Sequence, residues 1–186
     1  MRYPPLKAEE MTPRQREVAE AIDKRRVGGL VGPYIPLIYS PEVADRMQLL
    51  AEHLRYNLRT PERLRILAIL VTARHKSADV EFFAHMKHAK TTGLAEEKVQ
   101  ALAEGRRPQD MTPDEEMVYD YCTELHKTGA VGDANFDRVQ KRFGNEICLE
   151  LVSVCGYFAL LAMVLNVTET PFPEGQTRPL NPPVLP

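Results

Sequence analysis

The chain of 186 residues has no tryptophan, three cysteines and only 7% aromatic residues. Each scarcity excludes something. Cys122, Cys148 and Cys155 are odd in number, and their spacings match neither a zinc site nor a Cys-x-x-Cys redox pair. Cys148 and Cys155, seven apart on one apolar stretch, read as reduced core residues. No Gly-x-Ser-x-Gly occurs, so the sparse serines form no nucleophile elbow. A net charge of −2 with a sequence pI near 6.2 supplies no positive field for nucleic acid or an acidic membrane surface. The small Lys24-Arg25-Arg26 and Arg106-Arg107 clusters fall at expected helix ends, where cations complement the dipole. The longest apolar stretch, 151–165, spans 15 residues between Glu150 and Asn166, short of the roughly 20 that a membrane helix needs. It reads as a core or subunit-interface helix. Charged residues follow Met1-Arg2-Tyr3-Pro4-Pro5 where a leader would be apolar, so the expected location is the cytoplasm.

What the chain does have is helical signal. At 44% hydrophobic and 27% charged it has the composition of one globular domain over 1–186, all-α, with about eight helices and no alternating strand pattern. Thr12-Pro13-Arg14-Gln15 and Thr112-Pro113-Asp114-Glu115 each place a Thr cap, a Pro at the first helical position and a Gln or Glu three residues after the cap. Thr60-Pro61 opens a third such helix, with Leu64, Leu67, Ala68 and Val71 at helical spacing. Another helix starts at Pro41 and runs to about Leu58. Further helices are expected over about 78–92, 95–104, 133–143 and 145–167, with Gly93, Gly105, Gly129 and Gly144 at their stops. Two stretches are irregular. Residues 27–40 are rich in Gly and Pro and suit a lid or pocket wall, and the tail over 171–186 carries six prolines and is expected to be extended or to wrap a neighbour.

One helix carries the candidate chemistry. Glu81, His85 and His88 stand at i, i+4 and i+7 and project from one face. Imidazole titrates near neutrality, and a carboxylate one turn away orients it and favours its charged form, so Glu81 and His85 suit proton transfer. The same spacing also arises on a solvated helix face without any function. Phe82, Phe83, Ala84, Met86 and Ala89 argue for burial, where an unpaired Glu or His is costly. A metal is the next alternative, but neither His-Glu-x-x-His nor Glu-x-x-His occurs, and no metal or other cofactor is expected. His126, near a helix C-terminus, reads either as a dipole partner or as a second acid/base or substrate-binding group. His53 and His75 read as surface or helix-end residues without a role. Tyr34, in the Gly/Pro stretch, reads as a pocket cover or an ordinary packing aromatic.

These residues resemble a family. The run from Leu64 to Leu70, then Ala78-Asp79-Val80-Glu81-Phe82-Phe83-Ala84-His85, then Ala89, Gly93 and Leu94, is similar to the core motif of the carboxymuconolactone decarboxylase and alkylhydroperoxidase D-like superfamily. Gly32-Pro33 and Ser40-Pro41-Glu42 upstream extend the likeness, as do Glu124-Leu125-His126, Gly156-Tyr157-Phe158, Leu165-Asn166 and Pro173-Glu174-Gly175 downstream. It covers roughly 28–175. The resemblance implies an all-α, alkylhydroperoxidase D-like fold assembled as a homotrimer or homohexamer, with the motif helix lining a pocket. In the hydroperoxidase branch that helix carries Cys-x-x-Cys before its His; here Ala78 and Glu81 occupy the cysteine positions, so the disulfide-cycling peroxidase chemistry is an alternative that lacks its thiols. The decarboxylase branch needs no cofactor. Many relatives have Glu one residue after the Arg that corresponds to Arg65; this chain has Ile66, which removes a proton-relay carboxylate. The expected partner is a small organic acid or lactone. The expected catalytic residues are Glu81, His85 and His126, with Tyr34 and His88 binding substrate. A non-catalytic ligand-binding oligomer remains the third alternative.

Overall fold

A computed structural model describes residues 1–26 and 28–181. Among the described residues there are nine helices and no strand. The chain forms two compact units, Met1–Leu58 with Val164–Pro171, and Arg59–Met163 with Phe172–Pro186.

The first unit is built on α1 (Pro13–Arg25), α2 (Tyr34–Leu37) and α3 (Pro41–Tyr56). The Thr12 hydroxyl accepts from the Gln15 N–H while the Gln15 side chain accepts from the Thr12 N–H, so two of the otherwise orphaned N-terminal donors are satisfied. Val18, Ala19 and Ile22 of α1 are buried with Ala44, Met47, Ala51 and Leu54 of α3. Arg14 ties the two helices at their exposed edge, with Nε 2.7 Å from Glu42 Oε1 and Nη2 2.7 Å from Asp45 Oδ2. The expected irregular stretch contains α2, one turn that the burial of Tyr34 and Leu37 holds in place.

The second unit holds α4 (Glu62–His75), α5 (Asp79–Thr91), α6 (Glu96–Ala103), α7 (Pro113–Thr128), α8 (Asp133–Phe143) and most of α9 (Asn145–Val167). Nine residues of α4 are buried, from Leu64 through Ala73, so it is apolar all round, as a helix must be that packs on α5, α6 and α7 at once. Ile66 is one of them, 5% exposed. The second capping box forms as expected between Thr112 and Glu115. Thr60 departs from expectation. Its hydroxyl donates to Glu150 Oε2 at 2.6 Å, and the Arg59 and Thr60 N–H groups donate to the same carboxylate at 2.9 and 2.8 Å. Pro61, without a side-chain cap, precedes the helix instead.

The apolar helix α9 runs 23 residues, longer than its 15-residue uncharged centre; by length and composition it is sufficient to cross a bilayer, and half of its most apolar window is buried inside the protein. The described tail lies along the second unit's own helices. Arg178 Nη1 is 3.1 Å from Asp79 Oδ2, the Leu180 N–H donates to Asp79 Oδ1 at 3.1 Å, and the Asn181 N–H donates to Ala103 O at 3.0 Å. The rest of the Pro-rich stretch, 182–186, and Val27 of the Gly/Pro stretch lie outside the described residues.

Candidate functional site

The link from α4 to α5 sets the site. Ser77 sits in the left-handed region at φ 54°, a conformation that costs a non-glycine residue about 1 kcal/mol, and the Ala78 N–H returns to Ala73 O at 2.9 Å. The tight reversal lays α5 against α4 and fixes which of its faces is buried: Glu81, Phe82, His85 and Ala89. Glu81 is 3% exposed and His85 8%. His85 Nδ1 lies 3.2 Å from Glu81 Oε1 and 3.1 Å from Glu81 O. Nδ1–H therefore donates to the Glu81 carbonyl, with the carboxylate oxygen at ion-pair distance, which leaves the lone pair of a neutral ring on Nε2. Phe158 of α9 meets the His85 ring edge to face, 5.1 Å between centroids. Of the expected trio, His88 is the exposed member, with its ring centroid 6.2 Å from that of His85. A cavity of about 730 Å³ flanks α5 and opens on Phe82, Phe83, Met86 and the tail; Glu81 and His85 do not line it.

His126 belongs to a second cluster, assembled from three helices. Its Nε2 lies 2.8 Å from Thr72 Oγ1 of α4, and that hydroxyl spends its proton on Ala68 O at 2.7 Å, so Nε2–H is the donor to Thr72. The His75 ring stacks on His126 at 5.3 Å and 25°. Behind it lie two thiols. The Cys155 thiol is held well below the ordinary thiol range by a hydrogen bond from Cys122 and by His126, against the penalty of burial. Cys122 is pushed up by the same bond to Cys155 and by its own burial. Both are free and buried, as is Cys148. Sequence spacing read Cys148 and Cys155 as reduced core residues, and both are free and buried; the fold brings Cys155 to Cys122 of α7. Cys155 and Phe158 are three residues apart on α9, so His126 and His85 are served by successive turns, a rise of about 4.5 Å.

His75, given no role by its sequence position, is pushed down to about 4, first by burial of part of its ring and then by the neighbouring His126, Lys127, Lys76 and Arg74. Tyr34 belongs to α2. It is fully buried in the first unit, with the Arg26 guanidinium 4.2 Å above its ring, while Glu81, His85, His88 and His126 all belong to the second unit. Among the described residues no group of three or more His, Cys, Asp or Glu side chains is arranged to hold a metal ion. The geometry thus defines an all-α protein with a buried carboxylate–imidazole pair and a Thr–His–Cys cluster one α9 turn away. No family model matches the chain, and no curated protein matches its sequence.

Proposed function

We propose that the chain is a carboxymuconolactone decarboxylase-like enzyme, a cofactor-free acid/base catalyst acting on a small organic acid or lactone. The observation that carries the reading is the buried Glu81–His85 pair, 3.2 Å between Nδ1 and Oε1, on the helix where the sequence resembles that family. In this mechanism Glu81 fixes the tautomer and orientation of His85. His85 delivers a proton to the carbon that loses carbon dioxide, or moves one between carbons in an isomerisation, while His126 binds or protonates the substrate and His88 contacts it. Proton transfer of this kind contributes about 10²- to 10⁴-fold, and positioning contributes the remainder. The chain then works in the cytoplasm as a homotrimer or homohexamer, without nucleic-acid or membrane partners. The exposed apolar residues Leu149, Val152, Leu160 and Met163 along α9 support self-association. Turnover of carboxymuconolactone and related lactones by the parent protein, by His85→Ala and by Glu81→Gln tests the chemistry. Activity lost in His85→Ala with the far-ultraviolet circular dichroism retained is the expected outcome; lactones left intact by the parent protein would overturn it.

The Cys122–Cys155 contact favours a second reading, hydroperoxide reduction. The Cys155 thiolate would attack the O–O bond to give a sulfenic acid and an alcohol, Cys122 would displace water to form the disulfide, and an external dithiol would restore both thiols. Hydroperoxide consumption that depends on dithiol and disappears in Cys155→Ser separates this chemistry from the lactone reading.

A further inference from the structure

We propose that α9 pairs with α9 of a second copy of this chain, antiparallel and two-fold, with Gly156 at the crossing. The helix is apolar on both of its sides, and only one is covered within the protein. Leu151, Val154, Phe158 and Leu161 are at most 1% exposed, whereas Leu149, Val152, Leu160 and Met163 are 38–68% exposed. A helix that is apolar all round belongs where both sides are covered. No charged residue follows Glu150 in α9, so the open face has nothing with which to recognise a nucleic acid, a phosphate or an acidic peptide. Ser153, the polar side chain at its centre, already donates to Leu149 O at 2.8 Å and loses no hydrogen bond when water is excluded.

Register, glycine and charge together identify the occupant as a second copy. Leu149 and Met163 lie seven positions to either side of Gly156, and Val152 and Leu160 lie four to either side. A two-fold axis through Gly156 therefore sets Leu149 at the height of Met163 of the second copy, and Val152 at the height of Leu160, so the patch is complementary to itself. Gly156 stands mid-helix on the exposed face, where glycine costs helix stability, and a Cβ built there would meet nothing within 4 Å. Packing within the chain does not call for the missing side chain; the close approach of a second helix backbone does. Charge sets the direction. Glu146 and Glu150 both sit toward the N-terminal end of α9, so parallel copies would bring each beside its own counterpart, whereas antiparallel copies hold the two Glu146 residues about 30 Å apart.

The four exposed side chains leave on the order of 400 Å² of apolar surface on each copy, within the range of patches that mark association sites. Two copies bury about twice that, the low end for specific interfaces, so the pairing is reversible, with an expected dissociation constant of about 10 µM. The contact gives the self-association proposed above its surface, and rests on that part of the reading rather than on the chemistry at Glu81 and His85. A two-fold contact builds dimers, or hexamers of paired chains, and not simple trimers.

Sedimentation velocity of the full chain, from about 1 to 500 µM, tests it. The parent is expected to form even-numbered species. Gly156→Leu, which has room within a single chain, should weaken association by about tenfold or more while the far-ultraviolet circular dichroism is retained. Leu149→Lys should weaken it as well, and adding Met163→Glu should restore it, because the two introduced charges face each other only between antiparallel copies. The proposal is overturned if Gly156→Leu sediments like the parent, or if the double variant associates no better than Leu149→Lys alone. A trimeric parent overturns it and leaves self-association standing; a parent that stays monomeric throughout overturns both. Cosedimentation of the parent with phosphatidylcholine vesicles overturns it too, because a bilayer would then cover the face.

Discussion

Glu115 is fully buried, and what surrounds it allows the cost of removing its charge to be worked out. One carboxylate serves three jobs: it accepts the Thr112 N–H at 2.8 Å in the capping box, it receives Lys98 Nζ at 2.7 Å, and Arg63 Nε stands 3.4 Å away. Burial opposes ionisation, but the hydrogen bonds from Lys98 and Thr112 and the two cations outweigh it, and its acidity is raised. Glu115→Gln keeps the shape and the capping bond and removes only the charge. Lys98, 13% exposed at its side chain, is then left with an uncompensated ammonium. Breaking a buried pair by removing one partner costs about 3–5 kcal/mol, and the bonds that Gln retains bring the expectation to about 2–3 kcal/mol. At about 2–4 °C per kcal/mol for a chain of this size, the melting temperature should fall by roughly 4–12 °C. The pH dependence carries a sign of its own. A carboxylate whose folded value lies below its unfolded value stabilises fully above the unfolded value, near 4.5, and loses that contribution as pH falls through the folded value. The gap between parent and Glu115→Gln should therefore be full at pH 7 and shrink as pH falls below about 4.5. A Glu115→Gln protein that melts within about 1 °C of the parent at pH 7 would refute the reasoning, because the cations would then do no more than repay desolvation.

His75 works in the opposite direction. Its value near 4 lies below that of an unfolded histidine, so the folded state disfavours the proton, and the penalty grows as pH falls from about 6.5 through 4. Denaturant titrations should show His75→Gln less acid-sensitive than the parent by about 1 kcal/mol, once its partial solvent contact is discounted; equal acid slopes would sink the attribution. In Cys122→Ala the Cys155 thiol loses the hydrogen bond that lowers it most, and ultraviolet thiolate absorbance should titrate at higher pH than in the parent. An unmoved titration would assign the effect to His126 instead. Gly105→Ala places a Cβ at φ +72° and against Arg74, at an expected cost of about 1 kcal/mol in thermal unfolding; a fully stable variant would refute the left-handed backbone at this position.

Helix positions were legible wherever the determinants lie within one turn of sequence. Thr12–Gln15 and Thr112–Glu115 form their caps because both partners are three residues apart. Thr60 shows the same local pattern and does something else, since its hydroxyl goes to Glu150, ninety positions away, which no local reading detects. The short α2 was missed for the complementary reason: four residues beside glycines and prolines carry little period, and burial of Tyr34 holds them. The candidate site divides along the same line. Glu81 and His85 share a helix, and their spacing alone places them in contact. Thr72, His75, Cys122 and Cys155 reach His126 from three helices, and the only sequence signal was that two cysteines and a histidine fall on apolar faces.

Burial by itself does not mark function in this protein. Glu81 and Glu115 are both buried carboxylates, yet their surroundings differ in a way that bears on chemistry. Glu115 is held by a lysine, an arginine and a backbone amide, groups that keep their protons at neutral pH, so its charge is locked and its effect is structural. Glu81 faces an imidazole, the side chain type whose ordinary titration falls near neutrality, rather than a permanent cation. A carboxylate held by groups that stay charged is confined to structure, and one that faces an imidazole is where the proposed proton transfer has its test.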